Sequence, residues 1–192
     1  TSSMNSTSPF SDTYAIQGLG QLLLAEFEGI LPTGCTGSSA YNYDSSAILD
    51  DGSCYNLDFT TVNTGSNMTV QIGVSAVTFN GTAGIIPNGS LLGAFYTNDD
   101  GQLSCGGLSI WTGEQLAMAT WADDNLTDEK DGFLSGEEFN WFLSINGQVF
   151  AATTSVMNST SPFSDTYAIQ GLGQLMLAQF EGELTTILGC TD

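Results

Sequence analysis

Apolar and polar residues alternate along much of the chain in runs about as long as a β-strand. The clearest runs are residues 68–74 (MTVQIGV), 115–122 (QLAMATWA) and 139–145 (FNWFLSI). A period of two places successive side chains on opposite faces of a strand. Asn146-Gly147 follows the third run and is a strong hairpin signal. Strand-length runs about every dozen residues, without long helical periods, predict an all-β, immunoglobulin-like antiparallel β-sandwich.

One stretch of the chain occurs twice. Residues 4–29 (MNSTSPFSDTYAIQGLGQLLLAEFEG) recur as residues 157–182, 153 positions further along. The copies differ at two pairs of positions, Leu23/Met176 and Glu26/Gln179. An offset of this size is about the length of one domain and far longer than a solenoid repeat. The sequence therefore predicts a duplicated module whose two copies take the same fold.

The residues that follow each copy extend the duplication. Gly34-Cys35-Thr36 follows the first copy, and Gly189-Cys190-Thr191 follows the second. We therefore expect the chain to be a piece of a longer tandem array. The predicted domains are the C-terminal strands of a preceding repeat (1–33), a small disulfide-closed connector (34–56), the β-sandwich module (57–188) and the start of the next connector (189–192).

The first copy leaves two local structures open. Residues 14–24 (YAIQGLGQLLL) carry alternating apolar residues around two glycines, which favours a strand, a kink or bulge, and a second strand. Leu19, Leu22, Leu23 and Phe27 would also fit one face of a short helix. We predict strands.

The connector lies between two cysteines. Residues 34–54 (GCTGSSAYNYDSSAILDDGSC) are bracketed by Cys35 and Cys54. A segment this short cannot bury a core of its own. A Cys35–Cys54 disulfide would stabilise it by about 3 kcal/mol. We predict this disulfide and expect Cys105, which lies alone on a strand, to stay reduced.

The connector resembles the GCT-x-x-x-A-x-NY-x-x-x-A-x-x-DDGSC repeat of giant secreted surface proteins of marine Bacteroidetes. It matches every defined position of that pattern between Gly34 and Cys54. The later segments LLGAFY, LSCGGLSIWTGE, MATWADDNLTDEKDGFLSGEEFNWFL and YAIQGLGQL resemble β-sandwich repeats of such proteins, which are commonly exported through the type IX pathway. Together the resemblances cover most of residues 34–182. They imply secretion, tandem repetition, and adhesion or filament building.

The charge of the chain narrows the classes of partner. The chain has 21 Asp and Glu residues, a single basic residue (Lys130) and no His, which gives a net charge of -20. Such an acidic surface cannot neutralise phosphates or anionic lipids. We therefore do not expect nucleic-acid binding or membrane docking. No run reaches the roughly 20 apolar residues of a membrane helix. Four cysteines favour an oxidising compartment, and we predict an extracellular or cell-surface location.

The densest polar cluster is residues 122–138 (ADDNLTDEKDGFLSGEE), called the acidic loop below. Its seven carboxylates repel one another unless they are solvated or bridged, and Ca²⁺ prefers such oxygen ligands. The predicted calcium ligands are Asp124, Asp128, Asp131 and Glu138, with Asp123 and Glu137 in reserve. The spacing departs from an EF-hand, because Thr127 and Glu129 stand at its first and third positions. A solvated loop without metal is the alternative.

Two other groups of residues are weaker candidates for binding. Asp44, Asp50 and Asp51 could bind a cation, although Asp-Asp-Gly-Ser is also ordinary turn chemistry. Among the three tryptophans, Trp111 precedes a Thr-Gly-Glu turn and is the best candidate for stacking on a sugar.

The leading interpretation is a structural repeat module of an extracellular tandem-repeat fibre or adhesin that self-associates into a homo-oligomeric fibre. Near-identical copies favour repeated architectural use. The alternative is a carbohydrate-binding module of a secreted protein, which would bind surface glycans. A glycosidase-like enzyme is a third hypothesis. We do not expect an enzyme, because the chain lacks His and Arg and gathers its carboxylates in one loop.

Overall fold

The computed structural model describes residues 2–4, 22–25, 31–124 and 126–184, with the backbone alone for the first two ranges. It divides into two units, Thr1–Asn56 and Leu57–Asp192. The described part of the first unit contains β1 (Ser2–Met4), β2 (Leu22–Ala25), β3 (Thr33–Gly34) and β4 (Leu49–Asp50). That of the second contains a 3-10 helix (Val74–Ala76) and the strands β5 (Asn67–Ile72), β6 (Val77–Phe79), β7 (Thr82–Ala83), β8 (Leu91–Thr97), β9 (Leu103–Ile110), β10 (Leu116–Trp121), β11 (Asn140–Ile145), β12 (Gln148–Met157) and β13 (Leu172–Phe180). The predicted start of a next connector lies outside the described residues.

The second unit is built on one sheet that closes on itself. Neighbouring strands are hydrogen-bonded in the order β12, β11, β8, β9, β10, β5 and β13, and β13 then pairs with β12. Seven strands therefore form a closed β-barrel, and β6 and β7 continue the sheet beyond β13. The neighbours within the ring are antiparallel except that β13 runs parallel to β5, and β13 is also parallel to β6.

The all-β class is confirmed, but a closed ring stands where we expected two packed antiparallel sheets. Alternation predicts which face of a strand is buried, and it does not predict the strand's neighbours. The pairing that completes the ring joins Leu172–Leu175 of β13 to Thr69–Ile72 of β5. These segments lie 103 positions apart in the sequence, so no local pattern indicates that they pair. Closure also removes the free edges that the seven ring strands would expose in an open sheet.

The core lies inside the ring. On β5, every second residue from Met68 to Ile72 is fully buried. On β11, all residues from Trp141 to Ile145 are buried, because both faces of this strand are covered. Phe142 faces outward and packs with Phe95 in a second, smaller cluster. Fully burying one large apolar side chain contributes about 1.5–3 kcal/mol, so the core accounts for most of this unit's stability.

The second copy of the duplicated stretch completes the barrel. Its β13 lies between β12 on one side and β5 and β6 on the other. Leu175, Ala178 and Phe180 of this strand are buried. Val156 pairs with Leu177 and Met157 with Leu175, so the register shifts at this point and Met176 is left as the extra residue of a bulge.

The first copy forms strands where it is described. β1 pairs antiparallel with β2, which supports strands over a helix at Leu22–Ala25. The pairs are Ser2/Ala25, Ser3/Leu24 and Met4/Leu22. Residues 5–21 and 26–30 of this copy lie outside the described part of the chain.

The predicted disulfide is present. Cys35 and Cys54 are bonded, with their Cα atoms 4.7 Å apart. Cys105 is a free, buried cysteine on β9, as expected. Cys190 lies outside the described residues.

Candidate functional site: the acidic loop and its surroundings

The acidic loop connects β10 to β11 and is anchored by Phe133. This side chain is fully buried. Its ring centroid lies 5.0–5.4 Å from those of Tyr96, Phe139 and Tyr167. On the backbone, Phe133 donates to the Trp121 carbonyl, and Asp123 donates to the Phe133 carbonyl, both at 2.9 Å. One buried aromatic residue therefore fixes this acidic loop to the barrel.

Two glycines allow the loop to lie this close to the barrel. A Cβ atom on Gly132 would come within 2.2 Å of the carbonyl group of Ala122. A Cβ atom on Gly106 of β9 would come within 2.5 Å of the Phe133 ring. Neither approach is tolerable, so glycine is required at both positions. Gly132 has a packing role that does not depend on a bound metal.

Three of the loop carboxylates bind the loop's own backbone. Asp123 Oδ1 accepts a hydrogen bond from the Asp131 N–H at 3.0 Å, and Asp131 Oδ1 accepts one from the Asp124 N–H at 3.4 Å. Asp124 Oδ1 in turn accepts from the Leu126 N–H at 2.7 Å. Short acidic side chains commonly stabilise turns in this way. These contacts give the loop a defined conformation without a cation.

Lys130 supplies positive charge within the loop. Its ammonium group contacts the Glu137 carboxylate and the Thr97 carbonyl, and it lies 5.3 Å from the centroid of the Tyr96 ring. Its side chain is 11% exposed. Its backbone N–H donates to Asp99 Oδ2 at 2.8 Å. This role of Lys130 was not predicted from the sequence, although a single cation inside an acidic run was the available signal.

The structure brings together only part of the predicted calcium ligand set. Asp124 and Asp128 line one open depression on the barrel surface, together with Asp99, Asp123 and Glu129. Glu138 lines a different cleft, between Phe139, Met157 and Asp165. Within the described ranges, no group of three or more acidic or cysteine side chains is arranged to hold a metal ion. Spacing along a loop does not determine which side chains converge, and calcium binding stays a prediction.

The second acidic group is explained by turn chemistry. Asp44 Oδ1 accepts hydrogen bonds from the Ser46 N–H and hydroxyl at 2.8 and 2.6 Å. Asp51 Oδ1 accepts from the Ser53 N–H at 2.9 Å. Hydrogen bonds from the side chain and then the backbone of Ser46 and of Ser53 hold the pKa of Asp44 and of Asp51, respectively, below the usual value. Asp50 likewise caps the Gly52 N–H at 3.2 Å.

Asn42 is a structural residue of the connector that the sequence analysis did not single out. Its side-chain N–H donates to the Ser53 carbonyl at 2.7 Å, and its side-chain oxygen Oδ1 accepts from the Tyr55 N–H at 3.0 Å. Asn42 thereby ties the middle of the connector to the chain around Cys54. The matched pattern has Asn at this position, but the pattern alone does not indicate these hydrogen bonds.

Trp111, the best candidate for stacking on a sugar, is not exposed. Trp111 is fully buried in the core. Its backbone N–H donates to the Ser90 carbonyl at 2.7 Å, and its backbone carbonyl accepts from the Gly89 N–H at 2.8 Å, which fixes this residue against the chain that leads into β8. The following turn is exposed, but the strand end turns the indole inward. Trp141 is also buried and Trp121 is partly buried.

Burial also suppresses the chemistry of the titratable groups in the barrel. Desolvation raises the pKa of the Cys105 thiol to about 12, and the thiol donates to the Gly107 carbonyl at 3.3 Å. Burial likewise raises the pKa of Tyr167 to about 12. The Tyr167 hydroxyl has no hydrogen-bond partner in the described part of the chain. Neither group is activated for catalysis at neutral pH.

Comparison with known proteins gives no assignment: no family model, no curated protein and no solved structure matches this chain. No helix in the described part of the chain is long and apolar enough to cross a membrane.

Proposed function

We propose that this chain is a structural repeat module of an extracellular fibre or adhesin, in which copies of the module follow one another and associate. The observation that carries the proposal is that the strands of the first copy pair with each other in the same way as the equivalent strands of the second copy. β1 and β2 pair in the same register as the equivalent residues of β12 and β13, and the shift falls at the same point in both. Two copies with one pairing pattern are typical of a tandem-repeat protein.

Charge and covalent chemistry support the extracellular part of the proposal. The Cys35–Cys54 disulfide is stable in oxidising compartments. A net charge of -20 keeps repeated modules soluble and apart from membranes and nucleic acids. The connector combines this disulfide with capped turns, as expected for a short joint outside the reducing cytoplasm.

Carbohydrate binding has less support than the fibre proposal. The hypothesis rested on Trp111, which is fully buried and cannot stack on a sugar. Catalysis has little support as well, because the loop carboxylates largely bind their own backbone and Glu137 binds Lys130.

Calcium binding is proposed as an accessory property of the fibre. Asp99, Asp124 and Asp128 line the same depression, and a divalent cation there would relieve their mutual repulsion. A site filled at 100 times its Kd stabilises the native state by about 2.7 kcal/mol. We expect a higher melting temperature in millimolar calcium than in chelator for wild type. Asp128→Asn should lose the difference, whereas equal wild-type midpoints would remove calcium from the account.

Immunogold electron microscopy of cells that make this protein tests the main proposal. Antibodies raised against the barrel should label filaments outside the cell at recurring intervals, because the module recurs along the fibre. Antibodies blocked with the purified chain provide the control. Label confined to the cell interior, or to a surface without filaments, would contradict the proposal.

A further inference from the structure

The first and last strands of the barrel ring are neighbours and run in the same direction. β5 is the first of the seven ring strands along the chain and β13 is the last. They pair in parallel, with Leu172–Leu175 opposite Thr69–Ile72. In a parallel pair, the start of one strand and the end of the other lie at opposite ends of the pair. A force that pulls the start of β5 away from the end of β13 is therefore directed along the strands.

The parallel contact continues along most of β13. After β5 the chain forms the 3-10 helix and then β6, in which Val77–Phe79 pairs in parallel with Ala178–Phe180. On its other side, β13 pairs with β12. Hydrogen bonds that are loaded along the strands share the force, so they must break together. A pull on the end of β13 is therefore resisted by two ladders at the same time.

The start of β5 is held in a comparable way. β10 pairs with β5 over six residue pairs, which cover all of Asn67–Ile72. The chain that leads into β5 is also tied to the end of β10. The Thr64 hydroxyl donates to the Ala122 carbonyl at 2.6 Å, and the Ala122 N–H donates to the Ser66 carbonyl at 2.9 Å. A pull on the start of β5 therefore passes to β10 as well as to β13.

Asn80 holds the chain where it leaves β13. Its backbone N–H donates to the Phe180 carbonyl at 2.8 Å. Its side-chain N–H donates to the Gly182 carbonyl at 3.0 Å, and its Oδ1 accepts from the Gly182 N–H at 3.1 Å. Asn80 has a φ of 48°, in the left-handed region that Asn tolerates better than most residues. These contacts continue the β6–β13 ladder beyond the end of the strand.

The core opposes sliding of these strands. Val70 and Ile72 of β5 and Leu175 and Phe180 of β13 are buried. A shift of one residue along a strand turns each side chain to the other face of the sheet. Sliding β13 past β5 by one residue would therefore remove these side chains from the core while the ladder hydrogen bonds break.

We infer that the parallel pairs β5–β13 and β6–β13, extended by the contact of Asn80 with Gly182, form a mechanical clamp through which the barrel carries tension. The inference rests on the proposed fibre function, because modules that follow one another in a fibre transmit a pull through the covalent chain. Each barrel receives that pull at the start of β5 and passes it on from the end of β13. The clamp keeps the barrel folded while the fibre is stretched.

Single-molecule pulling of the full-length chain tests the clamp by changing only the direction of the force. In one molecule, handles are attached through unnatural residues at the exposed positions Thr60 and Glu183, which loads the clamp along its strands. In the other, they are attached at Val149 and Glu183. Ala152 pairs with Phe180, so Val149 and Glu183 lie at the same end of the antiparallel β12–β13 pair. This second pull separates the strands one residue pair after another.

The Thr60/Glu183 molecule should unfold in one step, at a several-fold higher force than the Val149/Glu183 molecule at the same loading rate. Forced unfolding is governed by the unfolding rate, so the two loading rates must match. The chain between the handles should lengthen by about 400 Å in the first molecule and by about 110 Å in the second. These lengths identify the barrel as the part that unfolds. Equal forces in the two geometries, or a lower force for Thr60/Glu183, would overturn the inference.

A matched pair of substitutions tests the role of Asn80. Asn80→Gly keeps the left-handed conformation and removes both side-chain hydrogen bonds to Gly182. It should lower the unfolding force in the Thr60/Glu183 geometry. Asn146→Gly is the control, because Asn146 has a similar φ of 51° and lies between β11 and β12, outside the clamp. Equal forces for the two variants would overturn the assignment of Asn80 to the clamp.

Failure of the clamp and failure of the fibre proposal give different results. Equal forces in the two geometries, with filaments still labelled on cells, would overturn the clamp and leave the fibre proposal in place. A higher force for Thr60/Glu183, without filaments outside cells, would contradict the fibre proposal and leave the clamp as a property of the barrel.

Discussion

The two copies of the duplicated stretch have nearly the same sequence and different surroundings. The second copy supplies β13, which pairs with three other strands and buries Leu175, Ala178 and Phe180. The first copy, where it is described, forms a two-stranded sheet with the same register. The local sequence therefore determines which residues pair with each other. Neighbouring strands determine whether that pairing becomes part of a core.

The largest expected effect is a difference in how strongly the same substitution destabilises the barrel when it is made in each of the two copies. Leu175→Ala removes a fully packed side chain and should lower the free energy of unfolding of the barrel by about 3 kcal/mol or more. Leu22→Ala, the same change in the first copy, should leave the barrel transition within about 0.5 kcal/mol of wild type. Urea unfolding monitored by the fluorescence of the buried tryptophans measures both. Equal losses would show that both copies belong to one core.

A second comparison concerns the connector, which lies between the two copies. Replacing Cys35 and Cys54 by Ser should destabilise the connector by about 3 kcal/mol, because the disulfide restricts its unfolded chain. The barrel transition should not move, because its stability comes from its own core. Limited proteolysis followed by mass spectrometry should detect new cleavage within residues 34–54.

The reciprocal control for the connector is Cys105→Ala. Cys105 is buried among barrel side chains, so this change should lower the barrel midpoint and leave the connector resistant to protease. A Cys35/Cys54 double variant that exposes the connector to protease and also lowers the unfolding midpoint of the barrel would show that the two units are not independent in stability.

The smallest expected effect has the opposite sign. The Tyr167 hydroxyl is buried and has no hydrogen-bond partner among the described residues, so it loses its hydration without compensation. Tyr167→Phe should therefore raise the stability of the barrel by about 1 kcal/mol. Tyr14→Phe in the first copy should leave the barrel unchanged. A loss of stability on Tyr167→Phe, measured by thermal unfolding, would show that the hydroxyl has a partner in solution.

The pH dependence gives a second readout for the same variant. Burial raises the pKa of Tyr167 from 10.0 to about 12, so the folded state holds this proton more tightly than the unfolded state. The contribution of this raised pKa to the free energy of unfolding is fully present below pH 10 and is lost as the pH rises toward 12. Tyr167→Phe should remove this part of the alkaline decline.

The parts of the fold that depend on local sequence were predictable. Alternation and Asn146-Gly147 gave β11 and β12, and the bracketing cysteines gave the Cys35–Cys54 disulfide. The closure of the sheet was not predictable, because it depends on the pairing of β13 with a strand far away in the sequence. Apolar patterning fits a sandwich and a barrel equally well.

The candidate site was harder to predict than the fold. The acidic loop was identified from its composition, yet Glu138 lies in a different cleft from Asp124 and Asp128. Buried Phe133 and close-packed Gly132 set that arrangement, and neither residue looks exceptional in the sequence. Trp111 was misjudged because an exposed turn follows it directly, although the strand end points the ring inward.

Amide hydrogen exchange of the dilute wild-type chain tests the central claim most directly, namely that the duplicated stretch enters a core only where its partner strands are present. Peptides from the two copies differ in mass because of Leu23/Met176 and Glu26/Gln179, so each can be followed separately. Amides of Leu172–Phe180 should exchange about 100-fold or more slowly than those of Leu22–Ala25, since core strands open with nearly the global free energy and an isolated pair of strands opens readily. Equal protection of the two copies would contradict the account.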